Sequence, residues 1–166
     1  MLPRSARTLF FLIFAIVAAL LGFGLFLQHV KGIEPCPLCA LQRYAFAVLG
    51  LIALLGALQG PRGWGIKVYS GLMVVACLLG GGIAIRHVYL EHFPPQFAVC
   101  GPDLEYMVDS FPLSKALPMI FKGSGDCSQV AWRFLGLSIA EWSLIWFAIF
   151  LAVAIWRFVK RDKRID

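Results

Sequence analysis

Four of the five cysteines fall into two pairs whose spacing could support redox chemistry. Cys36 and Cys39 form a C-P-L-C motif at the beginning of an apolar segment. Cys100 and Cys127 are separated by 26 residues within the long polar part of the chain. Because paired thiols exchange electrons by forming and breaking disulfides, two such pairs beside apolar segments indicate electron transfer between thiols and an acceptor dissolved in lipid.

The residues around the C-x-x-C motif predict that Cys39 is the more reactive thiol. Pro37 suits the first position of a helix and keeps Cys36 out of the helical region, so Cys39 falls in the first helical turn. Free backbone N–H groups and the helix dipole favour a thiolate there. Arg43 follows four residues later on the same face and would stabilise that thiolate. The alternative is that Arg43 extends to the membrane interface.

Each cysteine pair also has a simpler interpretation. The C-x-x-C motif could be half of a zinc site, although the wide spacing of the second pair argues against a four-cysteine centre, and no metal is expected. Cys100 and Cys127 could form a structural disulfide that closes a loop. The lone Cys77, in the middle of an apolar segment, is interpreted as a buried small hydrophobic residue.

Two of the three histidines are candidates for binding an electron carrier. His87 and His92 follow the third apolar segment, near the predicted membrane surface. Histidine can hold a proton near neutral pH, so either residue could donate a hydrogen bond or a proton to a reduced carrier. A histidine at an interface is more often structural, and this is the interpretation for His29.

The composition indicates that these residues belong to a membrane protein. The 166-residue chain is 60% hydrophobic with a mean hydropathy of +0.82, whereas soluble domains are about 45–50% apolar. Its long apolar stretches cover residues 8–27, 41–58, 68–85 and 139–158. About 20 helical residues cross the hydrocarbon core. The sequence therefore predicts an all-α membrane protein. The whole chain, 1–166, is one integral domain with a four-transmembrane-helix bundle, a short loop at 28–40 and a long loop at 86–138.

The distribution of charge predicts the orientation in the membrane. The two termini and the second connection carry nine basic and two acidic residues, and the remaining connections carry six basic and seven acidic residues. The net charges are therefore +7 and −1, which together give the +6 of the chain. By the positive-inside rule, both termini are cytoplasmic and both cysteine pairs face the oxidising side. The basic excess reflects topology, so no nucleic-acid partner is expected.

Several motifs together resemble the disulfide bond formation protein B (DsbB) family of Gram-negative bacteria. They are residues 35–39 (PCPLC) with Arg43 in the next turn, residues 97–100 (FAVC), residues 125–127 (GDC) and residues 134–137 (FLGL). The resemblance extends over nearly the whole chain, including the helices and the loop lengths. It implies a protein of the inner membrane that reoxidises a periplasmic DsbA-like thiol oxidase.

The resemblance also implies an electron path and a cofactor. Reduced DsbA would attack a Cys100–Cys127 disulfide, electrons would pass to Cys36 and Cys39, and Cys39 would reduce a bound ubiquinone or menaquinone. Arg43 and a histidine would bind the quinone, with His92 ranked before His87 by local similarity. Two alternatives are a paralogue with a dedicated partner and a structural membrane protein with two inert disulfides.

Overall fold

The computed structural model describes residues 4–33, 35–93 and 132–160. In chain order the elements are helix α1 (Arg4–Lys31), helix α2 (Pro37–Gln59), helix α3 (Trp64–His92), strand β1 (Arg133–Phe134), strand β2 (Leu137–Ser138) and helix α4 (Ile139–Val159). All four helices are long and apolar enough to cross a membrane. The predicted class, an all-α membrane protein with four spanning helices, is confirmed.

The helices extend beyond the apolar stretches from which they were predicted. Helix α1 continues to Lys31 and α3 continues to His92, whereas the sequence placed the ends of these spans at residues 27 and 85. The additional turns of α3 carry polar side chains, including His87 and Glu91, that face the protein interior rather than lipid. Hydropathy cannot detect such turns, because their polar groups are satisfied by neighbouring helices.

The helices pack in sequence order, α1 on α2, α2 on α3, and α3 on α4. Helices α3 and α4 pack tightly at Gly80, where an added Cβ atom would lie 2.4 Å from the ring of Phe147. Phe147 also stacks on Phe46 of α2, with ring centroids 4.1 Å apart. Large apolar side chains such as Leu51 and Leu79 remain exposed on the outer faces, as expected of helices that are solvated by lipid.

A short hairpin leads into α4. Leu135 and Gly136, between β1 and β2, both have positive φ angles, 52° and 83°, as a type I′ hairpin turn requires. Ser138 then caps α4: its Oγ accepts the N–H of Glu141, while the Glu141 carboxylate accepts the N–H of Ser138. This capping box fixes the point at which the chain re-enters the bundle, beside the end of α3. The hairpin was not predicted.

Candidate active site

The C-x-x-C motif forms the N-terminus of α2. Pro37 is the first helical residue, and Cys36 is the N-cap with an extended backbone (φ −63°, ψ 162°). The Cys36 Sγ accepts the backbone N–H of Cys39 at 3.3 Å, and the Cys36 carbonyl accepts the N–H of Ala40 at 3.0 Å. Cys39 therefore lies in the first turn, as the sequence indicated, and both sulfurs lie at the positive end of the helix dipole.

His87 of α3 contacts both cysteines. Its side chain is buried, and its Nε2 lies 3.6 Å from the Cys36 Sγ while its Nδ1 lies 4.0 Å from the Cys39 Sγ. The buried amide of Gln42 fixes the ring, with its Nε2 3.1 Å from Nδ1. The two sulfurs and a ring nitrogen lie within 4.8 Å of one another. Two helices thus bring a dithiol and a proton-carrying group together.

A carboxylate completes this cluster from the next turn of α3. Oε1 of Glu91 lies 3.8 Å from Nε2 of His87, and both side chains are almost fully buried. Oε2 of the same carboxylate accepts a hydrogen bond of 2.6 Å from the hydroxyl of Ser138, the cap of α4. The start of α4 therefore orients Glu91, and Glu91 in turn faces the histidine that contacts the cysteines.

Arg43 lies within the protein and is bound to α1. Its guanidinium donates to Oε1 of Gln28 at 2.6 Å and to the carbonyl of Gly24 at 3.0 Å. The missing side chain of Gly24 permits this approach, since an added Cβ would lie 3.4 Å from Nε of Arg43. Within the described residues its hydrogen bonds go to α1, and none reaches Cys39. This geometry disfavours the alternative in which Arg43 extends to the interface.

These groups line one cavity of about 550 Å³. The cavity lies between α1 and α4, and residues of α2 and α3 also line it. Its volume falls in the range of about 300–1,000 Å³ that is usual for small-molecule sites. The polar side chains that line it are Cys36, Cys39, Gln42, Arg43, His87, Glu91 and Ser143. The rest of the lining is apolar and aromatic, including Phe23, Phe46, Trp132 and Trp146. The cavity is therefore suited to a mostly apolar molecule with a few polar atoms.

The other candidate residues lie elsewhere. His92 is exposed in the last turn of α3; its Nδ1 contacts the Val88 carbonyl at 3.0 Å and its Nε2 lies 3.8 Å from Glu141. It does not line the cavity, although local similarity ranked it first. Cys77 is buried in the apolar core, which confirms its interpretation as a small hydrophobic residue. Cys100 and Cys127 lie outside the described residues.

Sequence reasoning missed three polar members of the site, Gln42, Glu91 and Ser143. Gln42 and Glu91 each follow a candidate residue at helical spacing, Gln42 three residues after Cys39 and Glu91 four residues after His87. Residues three and four apart share a helix face, so a search for polar partners at this spacing would have found them.

The fold and the site together define a class of protein. A dithiol that shares a cavity with a buried histidine can exchange electrons with a bound molecule while a proton is held nearby. Cys36, Cys39 and His87 also have the donor atoms of a site for a thiophilic metal ion. Four spanning helices that hold a dithiol and a buried histidine in one cavity define a multi-pass membrane thiol–disulfide oxidoreductase.

Comparisons with known proteins identify the family within that class. Residues 6–157 match the family described as disulfide bond formation protein DsbB. Disulfide bond formation protein B of Azoarcus sp. (strain BH72) is 55% identical over 163 residues, which cover 98% of each chain. The protein of the same description from Aromatoleum aromaticum is 54% identical over 151 residues, 91% of each chain. The chain belongs to the DsbB family and is a disulfide-forming membrane oxidoreductase.

Proposed function

We propose that this protein reoxidises a DsbA-like thiol oxidase of the periplasm and passes the electrons to ubiquinone or menaquinone. The observation that carries the proposal is the shared cavity: the C-x-x-C dithiol, His87 and Arg43 all line one apolar chamber between α1 and α4. A soluble acceptor would not need an apolar chamber between membrane helices. A quinone ring, which is flat and apolar with two carbonyl oxygens, matches this lining.

The polar groups of the cavity could supply what the reduction of such a ring requires. When bound, the quinone accepts two electrons and two protons. Cys36 and Cys39 supply the electrons as their thiols are converted to a disulfide. His87 holds a proton beside the sulfurs, and Glu91 faces the ring nitrogen that would be reprotonated. Arg43 directs positive charge into the cavity from the α1 side, where it stabilises negative charge that develops on a carbonyl oxygen.

Of the two histidine candidates, His87 is the one that we propose acts on the quinone. It is buried in contact with both sulfurs, whereas His92 is exposed and paired with Glu141. The buried position matters, because no bulk water can replace the proton that the ring supplies. His92 has no such environment.

The donor side of the proposed path uses the second cysteine pair. Reduced partner protein attacks a disulfide between Cys100 and Cys127, forms a mixed disulfide with Cys100, and leaves as the oxidised form. Cys127 then attacks Cys36 of a Cys36–Cys39 disulfide and displaces the Cys39 thiolate. Cys100 in turn attacks Cys127 and displaces Cys36, which restores the Cys100–Cys127 disulfide and leaves two electrons on the C-x-x-C pair. The protons and electrons balance, since two partner thiols become a disulfide while one quinone becomes a quinol. The family resemblance of both cysteine motifs supports this order.

The proposed orientation places the cysteine end of the bundle in the periplasm of a bacterial inner membrane and both termini in the cytoplasm. It is supported by the net charges of −1 and +7 on the two sides and by the need for an oxidising compartment. The partner then reaches the cysteines from the periplasm, and the quinone reaches the cavity from the bilayer.

The test is anaerobic reduction of a soluble ubiquinone analogue by purified protein and reduced DsbA, followed by absorbance. Loss of quinone that requires both proteins supports the proposal. No loss with DsbA but a rapid loss with dithiothreitol as donor would instead support a paralogue with a dedicated partner. No loss with either donor would refute quinone coupling.

A further inference from the structure

We propose that Cys36, Cys39 and His87 form a binding site for a thiophilic divalent cation, such as Zn²⁺ or Cd²⁺, when the cysteine pair is reduced. The site is open only in one redox state, because both sulfurs are consumed when the disulfide forms. A cation bound there would occupy the electron donors of the proposed quinone reaction.

The three donor atoms lie close together, and one of their separations has the value expected for tetrahedral coordination. With zinc bonds of about 2.3 Å to sulfur and about 2.0–2.1 Å to nitrogen, tetrahedral angles place sulfur and nitrogen about 3.6 Å apart. The separation of the Cys36 Sγ from Nε2 of His87 is 3.6 Å. All three donor atoms lie within 4.8 Å of one another. The Cys39 Sγ lies 4.0 Å from Nδ1 of the same ring, and we expect rotation of its side chain to bring it to ligating distance of the ion.

The surroundings supply what a metal-binding histidine needs. A ligating histidine usually has its second ring nitrogen hydrogen-bonded to a fixed partner. If Nε2 binds the cation, Nδ1 faces the buried Gln42 amide at 3.1 Å. A flip of the side-chain amide exchanges its oxygen and nitrogen, and the oxygen can then accept a hydrogen bond from Nδ1–H. The fourth coordination position faces the cavity, where a water molecule can complete the shell.

Binding is balanced in charge and protons. The cation displaces one proton from each thiol, and both protons leave to solvent. Two thiolates then neutralise the charge of the ion, so the half-buried site acquires no net charge. No electron is transferred, because Zn²⁺ and Cd²⁺ are not reduced by thiols.

The experiment measures Cd²⁺ binding to full-length protein in detergent micelles under argon. A variant lacking the other three cysteines (C77A, C100A and C127A) removes every competing thiol. After reduction and removal of the reductant, titration with Cd²⁺ is followed by the ultraviolet thiolate-to-cadmium charge-transfer band. We expect one ion per protein, and no band after the Cys36–Cys39 disulfide is formed. A band in the oxidised protein, or no band in the reduced protein, would overturn the proposal.

Histidine variants test the third ligand. We expect His87→Gln to weaken the binding of Cd²⁺ by more than roughly 100-fold, and Gln42→Ala to weaken it by about 10- to 100-fold through loss of the ring's partner. The matched control is His29→Gln, which removes an exposed histidine near the end of α1 and should not change the affinity. Unchanged affinity in His87→Gln would show that the dithiol binds alone and would refute the three-ligand site.

A measurement without mutation of the histidine covers the case in which the His87 variant does not fold. With ¹¹³Cd and ¹⁵N-histidine in the cysteine-depleted protein, the bound ion should show one-bond coupling to a ring nitrogen. A ¹¹³Cd resonance without nitrogen coupling would overturn the assignment of His87. Neither readout requires quinone turnover, so failure of this proposal and failure of quinone coupling give separate results.

Discussion

Substitution of His87 by glutamine tests the proposed proton donor. Glutamine has a similar length and keeps a hydrogen-bonding amide beside Gln42, but it cannot deliver a proton. A positioned acid or base contributes about 10²- to 10⁴-fold to a rate, which corresponds to roughly 3–5 kcal/mol of activation free energy. Because His87 is only 3% exposed, bulk water has little access to the position of its ring. We therefore expect kcat for quinone reduction to fall by about 100- to 10,000-fold.

The assay is steady-state quinone reduction at saturating reduced partner, with kcat and KM determined separately. If His87 mainly supplies a proton, KM for the quinone should change by no more than about threefold, because the substitution preserves the size of the side chain. A fall in kcat of less than tenfold would refute the assignment. A large rise in KM with unchanged kcat would show instead that His87 only binds the quinone.

His92→Gln is the matched control for this experiment, because it makes the same change five residues along the same helix. Its side chain is 57% exposed, and its contact with Glu141 is 3.8 Å. Exposed ion pairs contribute about 0–1 kcal/mol, so kcat should stay within about twofold of the unmodified protein. A fall comparable to that in His87→Gln would restore His92 as the quinone-site histidine.

Three further substitutions probe the thiols, the arginine and the packing. Cys39→Ser should abolish quinone reduction yet leave Cys100 able to form a mixed disulfide with the partner on a non-reducing gel; normal turnover would remove Cys39 from the path. Arg43→His should raise KM for quinone in the same steady-state assay, and an unchanged KM would leave the guanidinium only a structural role. Gly80→Ala should destabilise the bundle by about 1–3 kcal/mol through overpacking, because its Cβ would meet a facing phenylalanine ring at 2.4 Å. Thermal unfolding in detergent measures this effect, and Gly82→Ala, where nothing lies within 4 Å of the Cβ, is the control that should show little change.

The spanning helices could be predicted from sequence because continuous apolar runs have a direct physical meaning in lipid. The ends of the helices could not be predicted equally well. The last turns of α3 are polar, yet they remain helical because His87 and Glu91 find partners on α2 and α4. Such partners depend on how the helices pack, which hydropathy does not contain.

The cysteine site was predictable only where its structure depends on local sequence and not on the packing of helices. Pro37 and the spacing of the C-x-x-C motif determine the start of α2 locally, so the position of Cys39 in the first turn followed from sequence. The direction of Arg43 did not, since its hydrogen bonds are made with residues of α1. The choice between His87 and His92 also depends on packing: the two lie on different faces of α3, and only the face toward α2 meets the cysteines.

Electron transfer from the Cys36–Cys39 dithiol to a quinone is tested most directly by a single turnover without any partner protein. A variant lacking Cys77, Cys100 and Cys127 is reduced, freed of reductant, and mixed with one equivalent of ubiquinone analogue under argon. Quinol is measured by absorbance, and the Cys36–Cys39 disulfide is measured by alkylation and mass spectrometry. We expect one quinol and one disulfide per protein. Equal quinol formation after alkylation of both cysteines, or a dithiol that stays reduced in the presence of quinone, would contradict it.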